Sequence, residues 1–521
     1  MNGFLHFSTY TPHLITLSLS GTHPYSTFAS YYAKKGLFMN TLNFRFTAFI
    51  CLLSIGAALG QSKSYSQSST SSTRTSHGSI NISHSNGYQN FNVEMRGKIE
   101  ISDDDKDIKS MSPDGYLEIT KTVFGSRRTL VISSQAGGLK REYYEGRTNV
   151  PWEPEGRKWL AEIMPELLRT TTIAAESRVN RFYKQGGVNA VLSEINEMES
   201  DYVIQAYADL LMEISGVTQK DYANIINKIT SKLESDYYIS EFLQHNLDRF
   251  LQNREATDAV FAACAKLDSD HYKTQVIKSA LRAQPISTES VKIILSATDN
   301  MDSDHYKTEV LTTLLRQPNL TDAIVAEMIN STRSMDSDHY RTVVIQKALG
   351  QKNLSATAYQ RVLESVKDMD SDHYKTQVLT DLLSNKLPTD QIFNLVTLSN
   401  SIESDHYLTI VFTQVMKNQD LSDDAFKSLM DRASHVDSDH YASQILQAAL
   451  DLPGLNDAKL ISIIGAASNI SSDHYITEVL TEAAPKVKTA GPAVKDAYRS
   501  AARKISSDTY YGRAMKAIDR D

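Results

Sequence analysis

The stretch from Met301 to Tyr340 reads MDSDHYKTEVLTTLLRQPNLTDAIVAEMINSTRSMDSDHY, and its first six residues return as its last six. A Ser-Asp pair recurs ten times along the chain at a spacing of 33 to 35 residues, followed in most copies by His or Tyr and then Tyr. The aspartates of the ten copies are Asp201, Asp236, Asp270, Asp304, Asp338, Asp372, Asp405, Asp439, Asp473 and Asp508. So constant a period is typical of tandem structural repeats that stack on one another.

The unit that begins at Ser303 predicts a first helix of roughly three turns. Ser303 is placed to cap it by accepting a backbone N–H, and Asp304 adds a negative charge near the positive end of its dipole. Positions i, i+4, i+5 and i+8 form one apolar face: Tyr306, Val310, Leu311 and Leu314. The position of Val310 holds Val or Ile in other units: Val276, Val344, Val378, Val411, Ile445 and Val479.

A second helix is predicted after the break at 317–319. Thr321 is placed to cap it, as are the matching residues Ser287, Ser355 and Ser422. Val325, Met328 and Ile329 form its inner face. Because a pair of short helices buries too little apolar surface alone, neighbouring pairs must stack. The sequence therefore predicts a mainly α fold, an α-solenoid of about ten two-helix repeats with a period of 34, over residues 151–521.

The segment 91–150 has a different pattern, with short alternating runs separated by turn residues. The alternating runs are 91–95, 98–101, 116–119, 129–132 and 141–144, and the turns between them fall at 112–115, 124–126 and 137–138. Runs of period two bounded by Gly, Pro and Asp are typical of an antiparallel sheet with one solvated face. We therefore expect a small antiparallel β domain at 91–150.

The N-terminal residues predict export. Residues 46–60 form an apolar run that follows Arg45 and ends in small residues, which is the order of a signal peptide with cleavage after Gly60. A retained transmembrane anchor is the weaker alternative, because the run is shorter than the roughly 20 residues that span a bilayer. Met39 lies just before the run, so we expect residues 1–38 to be an upstream extension and 39–60 the signal peptide.

Residues 61–90 are rich in Ser, Thr, Asn and Gly, which predicts a flexible, disordered linker.

The chain holds 54 Lys and Arg against 62 Asp and Glu. The residues before the predicted cleavage site contain Lys and Arg but no Asp or Glu, so cleavage would leave a more acidic chain. An acidic protein lacks the basic face that nucleic-acid binding needs.

Past the signal region Cys264 is the one cysteine, in an Ala-rich helical stretch, and we expect it to be a small buried residue rather than a reactive thiol.

The Ser-Asp-(His/Tyr)-Tyr repeats resemble, in period and in two helices per unit, the tetratricopeptide and HEAT families of helical repeats. Their motif differs, because the first helix has Asp-His-Tyr and Val-Leu where the tetratricopeptide pattern has Trp, Leu-Gly and Tyr. Together with the signal peptide and the β domain, the repeats are similar to exported helical-repeat proteins of Bacteroidetes-type bacteria. In that group such regions also occur attached to membrane sensor or metallopeptidase modules. The resemblance covers residues 91–521 and implies location in the cell envelope.

The third residue of the motif is His in seven repeats: His271, His305, His339, His373, His406, His440 and His474. A metal-site interpretation is disfavoured, because packed helices lie about 8–10 Å apart whereas Zn–N bonds are about 2.0–2.1 Å. Tyr202, Tyr237 and Thr509 also occupy the position, which a strict ligand position would not accept. We expect no metal site and no cofactor.

Two interpretations of this row stay open. In the first, the Asp caps, the Tyr packs between repeats and the His hydrogen-bonds to a neighbouring unit. In the second, the histidines form a partner-binding stripe with the cations that follow Tyr, suited to acidic or carbohydrate groups. Those cations are Lys273, Lys307, Arg341 and Lys375.

The sequence lacks the usual enzyme motifs, including His-Glu-x-x-His, Gly-x-Ser-x-Gly, the phosphate-binding Gly-x4-Gly-Lys-Ser/Thr and Cys-x-x-Cys. We therefore predict a non-catalytic scaffold of the periplasm or cell envelope that binds a protein or peptide partner along its repeats. Two alternatives remain: an extracytoplasmic sensory or regulatory module, and an envelope enzyme built on the β domain. Beyond the predicted signal peptide, no apolar run is long enough to be an integral membrane segment.

Overall fold

The computed structural model describes residues 70–76, 79–85, 89–318, 320–351 and 354–519. The predicted upstream extension, the signal peptide and the first residues of the predicted linker lie outside these ranges. The described residues divide into two compact units. The sheet unit holds those before Lys98 with 116–133 and 141–150, and the helical unit holds 98–115, 134–140 and those from Pro151 onward.

In the part of the chain that the structure describes, nine strands precede the helices: β1 (Thr70–Ser76), β2 (Ser79–Ser85), β3 (Gln89–Arg96), β4 (Ile99–Ile101), β5 (Ile108–Met111), β6 (Tyr116–Val123), β7 (Ser126–Gln135), β8 (Gly138–Glu145) and β9 (Thr148–Val150). Seven of them form one sheet in the order β1-β2-β3-β6-β7-β8-β9, and β4 pairs with β5 alone. The predicted alternation is confirmed, because Val93 faces Ile119 and Ile119 faces Leu130, and all three are buried. The predicted antiparallel sheet is therefore present.

The boundaries of the predicted β domain are wrong at two places. Strands β1 and β2 occupy residues 70–76 and 79–85, which the sequence assigned to the flexible linker, and β2 pairs with β3 over its whole length. The Thr and Ser of this segment are compatible with a strand when an apolar neighbour such as β3 offers a ladder to join. The linker prediction therefore fails for the described part of 61–90.

The second correction concerns the hairpin β4–β5, which belongs to the helical unit. Asp107 at its tip lies 2.8 Å from Arg157 Nη1, and Asp105 lies 3.1 Å from Arg178 Nε and 2.6 Å from Arg181 Nη2. Burial lowers the pKa of Arg178, but Tyr207, Glu194 and Asp105 around it outweigh this cost, so the net shift of its pKa is upward. These ion pairs thus hold the hairpin to the two helices that directly follow the sheet, which contain Arg157, Arg178 and Arg181.

Twenty-two α-helices follow in the described residues. Two come before the first Ser-Asp motif: α1 (Arg157–Thr170) and α2 (Ala175–Asn196). The ten motif aspartates each begin one helix, and we number the repeats 1 to 10 by them: α3 (Asp201–Glu213), α5 (Asp236–His245), α8 (Asp270–Ala283), α10 (Asp304–Leu314), α12 (Asp338–Leu349), α14 (Asp372–Leu382), α16 (Asp405–Asn418), α18 (Asp439–Leu450), α20 (Asp473–Thr489) and α22 (Asp508–Asp519).

The second helices lie between them: α4 (Gln219–Lys232), α6 (Leu247–Phe250) with α7 (Arg254–Cys264), α9 (Thr288–Asp299), α11 (Asp322–Ser331), α13 (Ala356–Lys367), α15 (Thr389–Leu398), α17 (Asp423–Ala433), α19 (Asp457–Ala467) and α21 (Pro492–Ala502). First helices pack on first helices of adjacent repeats, and second helices on second helices. This arrangement confirms the predicted stack of helical hairpins.

The predicted apolar faces are confirmed. Val310, Leu311 and Leu314 of α10 and Met328 and Ile329 of α11 are fully buried, as are the residues that match Val310 in other repeats. At about 25 cal/mol per Å² of apolar surface, this shared core supplies the main stabilisation of the stack. None of the helices in the described residues combines the length and hydrophobicity needed to span a bilayer.

Candidate functional site

The N-termini of four second helices, α9, α11, α13 and α17, are capped as predicted. The hydroxyl of Thr321 accepts a hydrogen bond from the backbone N–H of Ile324, and the hydroxyls of Ser287, Ser355 and Ser422 do the same in their own helices. Each donor lies three residues after its cap, so these contacts are local in sequence. Local chemistry is therefore enough to begin a second helix.

The first helices begin differently, and the predicted role of Ser303 is wrong. The Ser before each motif aspartate makes no side-chain capping bond in repeats 1 to 9. Instead, the carboxylate of Asp304 accepts a hydrogen bond of 2.7 Å from the backbone N–H of Ser337 in the next repeat. We call this contact the aspartate clasp.

The aspartate clasp recurs at all nine junctions between the ten repeats, with distances of 2.6 to 2.9 Å to the Ser N–H. Asp338 also accepts from the N–H of Asp370, and Asp372 from that of Glu403, each at 2.9 Å. A carboxylate near a helix N-terminus is favoured by the helix dipole. The motif aspartate therefore joins each repeat to the next.

The residue after each motif aspartate is exposed in every repeat, and the residue after that is half-buried in repeats 2 to 10. In the central repeats these residues are His and Tyr. His305 contacts Tyr306 of its own repeat at 5.2 Å between ring centroids and Tyr340 of the next repeat at 5.9 Å. The hydroxyl of Tyr306 lies 3.2 Å from Nδ1 of His271, and that of Tyr407 lies 3.4 Å from Nδ1 of His373. The predicted hydrogen bond between a histidine and a neighbouring unit is confirmed for these two histidines.

The same contacts connect seventeen rings without a break, and we call this surface the ring ridge. Its members, in contact order, are Tyr238, Tyr237, Tyr272, His271, Tyr306, His305, Tyr340, His339, Tyr374, His373, Tyr407, His406, Tyr441, His440, Tyr475, His474 and Tyr510. All sixteen pairs are edge-on or tilted, the geometry that aromatic quadrupoles favour. The motif tyrosines are half-buried, and those from Tyr272 onward contact a ring of the preceding repeat, as expected for a Tyr that packs between repeats, but they are not fully buried core residues.

The four cations of the predicted binding stripe do not lie on the ring ridge. Lys273, Lys307, Arg341 and Lys375 are only 3 to 6% exposed. The Nζ of Lys375 lies 3.5 Å from Asp372 and donates to the carbonyl of Ser401, and Arg341 lies 3.9 Å from Asp338. A helical residue two positions beyond the exposed one has turned by about 200° and faces the interior. These cations therefore serve packing and are withdrawn from the candidate site, while the seven histidines remain in it.

Sequence reasoning missed a row of acids. The residue two positions before the motif aspartate is acidic in repeats 1 to 8 and is exposed in each: Glu199, Glu234, Asp268, Asp302, Asp336, Asp370, Glu403 and Asp437. We call these eight residues the acidic row. No salt bridge within the described ranges engages their carboxylates. The pattern was visible in the repeated segments MESD, LESD, MDSD and IESD, in which the preceding apolar residue is buried and the acid is not.

The remaining candidate chemistry is structural. Cys264 is fully buried, and burial raises the pKa of its thiol to about 12, which agrees with the prediction of an unreactive residue. Among the described residues, no group of three or more His, Cys, Asp or Glu side chains is arranged to hold a metal ion. The ring ridge with its acidic row is an exposed surface that repeats with the fold, and it is therefore the candidate site.

The class of protein follows from these elements. The chain is a mainly α protein with an α-solenoid-like stack of helical repeats after a small antiparallel sheet domain. A search against protein-family models and a search of curated proteins both give no match to this chain.

Proposed function

We propose that this protein is a non-catalytic binding scaffold that holds a protein or peptide partner along the ring ridge. The observation that carries the proposal is the unbroken series of seventeen rings, one exposed ring per repeat from repeat 2 to repeat 9. Exposed rings that recur at a fixed spacing form a line of identical contact points. A line of this kind suits an elongated partner more than a compact small molecule.

The chemistry of the rings supports a polypeptide partner. Tyr and His present an apolar ring together with a polar atom, which is why Tyr is enriched at protein interfaces. In three repeats the Nε2 of the exposed histidine lies 3.0 to 3.3 Å from the amide nitrogen of a Gln four residues later, which holds the ring in place: Gln275, Gln377 and Gln444. A ring that is held before binding loses less side-chain entropy when a partner arrives.

The cellular location is part of the proposal. The predicted signal peptide at 39–60 supports an exported protein of the periplasm or cell envelope. Fractionation of the source cells followed by N-terminal sequencing of the envelope form should give a chain that begins at Gln61. A chain that retains residues from before Gln61, or that is found only in the cytoplasm, contradicts this location.

The binding proposal is tested with the chain from Gln61 onward and an array of unstructured synthetic peptides of varied composition. The variant changes His305, His339, His373 and His406 to Gln, which removes four adjacent exposed rings. The matched control is His435→Gln, since His435 is exposed and lies outside the ring ridge. We expect the variant to lose at least about tenfold in affinity, because a few anchor residues carry most of the energy of an interface and a combined loss of about 1.4 kcal/mol over the four rings is already tenfold.

The control should bind as the unchanged chain does, and both proteins should keep the thermal unfolding midpoint of that chain. Two results contradict the proposal. In one, no peptide on the array binds. In the other, a peptide binds equally to the unchanged chain and to the folded four-residue variant, which would assign binding to another surface.

A further inference from the structure

We propose that the occupant of the ring ridge is a basic polypeptide segment in extended conformation, held by repeats 1 to 8 through the acidic row. This inference rests on the proposed function and adds the charge, the conformation and the position of the partner. The charge of this partner is opposite to the one that the sequence indicated, because a stripe that included Lys273 and Arg341 would favour an acidic partner.

The charge argument rests on which side chains reach solvent. At the start of each first helix in repeats 3 to 6, the cation is buried and the acid of the acidic row is exposed. Asp302, Asp336 and Asp370 therefore present carboxylates to a partner, whereas Lys307 and Arg341 do not. A surface of one sign with exposed groups steers and holds a partner of the opposite sign.

The spacing argument gives the conformation of the partner. Each acid precedes the exposed ring of its repeat by three residues, at the same helix start. Packed helices lie about 8–10 Å apart, and an extended chain of the polyproline-II type rises about 3.1 Å per residue with three residues per turn, so one repeat matches about one turn and every third side chain faces the same side. A lysine or arginine at every third residue would then meet one carboxylate per repeat.

The two ends of the stack supply an internal comparison. Repeats 9 and 10 carry Ser471 and Ser506 at the position of the acidic row, yet Tyr475, His474 and Tyr510 continue the ring ridge there. The rings and the acids therefore have different extents along the chain. A basic segment should occupy the first eight repeats and leave the last two free.

The experiment uses the chain from Gln61 onward and three unstructured peptides of about 30 residues, enough to follow ten repeats at about three residues each. The peptides share their apolar residues and carry Lys, Gln or Glu at every third position. The acidic-row variant combines Asp302→Asn, Asp336→Asn and Asp370→Asn. Its matched control combines Glu255→Gln, Glu327→Gln and Asp424→Asn, three exposed acids on the second helices α7, α11 and α17.

We expect the Lys peptide to bind at least about tenfold more tightly than the Gln peptide at low salt, and the Glu peptide to bind most weakly. The acidic-row variant should lose about tenfold in affinity for the Lys peptide, since exposed ion pairs contribute about 0.2–1 kcal/mol each. The control variant should bind as the unchanged chain does. Added salt should reduce the advantage of the Lys peptide, because exposed charges are screened within about 10 Å at 0.1 M.

A gain of affinity provides a second measurement that does not depend on removing any group. Ser471→Asp with Ser506→Asp extends the acidic row to ten repeats and should raise the affinity for the Lys peptide by about threefold. Equal binding of the Lys and Gln peptides, or equal losses in the acidic-row variant and its control, would overturn the inference while the proposed function stands. If none of the three peptides binds and the histidine variant changes nothing, the proposed function itself fails.

Discussion

Repeats 3 to 6 and repeats 7 to 9 have the same aspartate clasp and the same exposed histidine, but they differ at one buried position. Three residues after the motif aspartate, the earlier group has Lys273, Lys307, Arg341 or Lys375, and the later group has Leu408, Ala442 or Ile476. All seven side chains are buried. The position is an interior one that accepts either a paired cation or an apolar residue.

This difference shows which contacts the stack requires. The aspartate accepts the N–H groups of the next repeat in both groups, whereas it is also within 4 Å of a buried cation at Asp270, Asp338 and Asp372 only. The clasp is therefore common to the whole stack, and the buried ion pair is an addition in its central part. In repeats 3, 5 and 6 one carboxylate therefore serves two partners.

The largest expected difference between the two groups comes from removing the aspartate. Asp338→Ala should cost about 3–5 kcal/mol, because it leaves the buried guanidinium of Arg341 without its carboxylate as well as breaking the clasp. Asp439→Ala should cost about 1–3 kcal/mol, because only the N–H groups of Ser471 and Ser472 lose their acceptor. Native-state hydrogen exchange of the flanking amides is the suitable measurement, since repeat stacks open locally. Equal losses would mean that the ion pair adds nothing.

A smaller loss of stability is expected at the ring ridge, and there the two groups of repeats should show similar losses. Tyr340→Ala in repeat 5 and Tyr441→Ala in repeat 8 should each cost about 1–3 kcal/mol, below the roughly 3–5 kcal/mol of a fully buried aromatic, because both rings are half-buried. His339→Ala is the control, since an exposed substitution changes stability by only about 0.5 kcal/mol. Denaturant unfolding of the three variants measures the differences. A cost for His339→Ala as large as that for Tyr340→Ala would show that the histidine is the main packing residue.

The smallest effect on stability is expected when the buried cation of an earlier repeat is replaced by the apolar residue of a later repeat. Lys375→Leu gives repeat 6 the residue that repeat 7 has at Leu408, and the free energy of unfolding should change by less than about 1 kcal/mol, because apolar replacement of a buried ion is often neutral. Asp372 keeps its bonds from the N–H groups of Glu403 and Ser404. Lys375→Ala, which removes the packed stem of the lysine as well, should be the less stable of the two in thermal melts. A large loss with Leu would mean that the cation itself is required at this position.

The sequence predicted much of the fold because its repeat period and its apolar spacing correspond directly to the helical hairpins and to their buried faces. A period of 34 located all ten first helices, and the apolar spacing around Val310 located their buried face. Local caps such as Thr321 were also predictable, since the donor lies three residues away. The linker at 61–90 was assigned wrongly in part, because a polar strand such as β2 forms only when β3 lies beside it.

The candidate site was less accessible to sequence reasoning. The histidines were found because they recur, but the repeat alone did not show which neighbours share their surface. Arg341 is two residues from His339 and is buried, while Asp336 is three residues before it and is exposed. Both facts depend on which side of the helix start faces the neighbouring repeat; the acids and cations recur visibly in the sequence, but the repeat pattern alone did not fix which of them share the surface of the histidines.

The amino-acid sequence by itself thus determined the repeat length, the helical hairpins and the residues of their cores, because hydrophobic spacing and capping act over a few residues. The tertiary structure alone decided that each motif aspartate clasps the following repeat, that the rings form one continuous ridge and that the exposed charge beside it is negative. These features join residues about one repeat apart or depend on which side of a helix faces the stack. They exist only once the repeats have packed together.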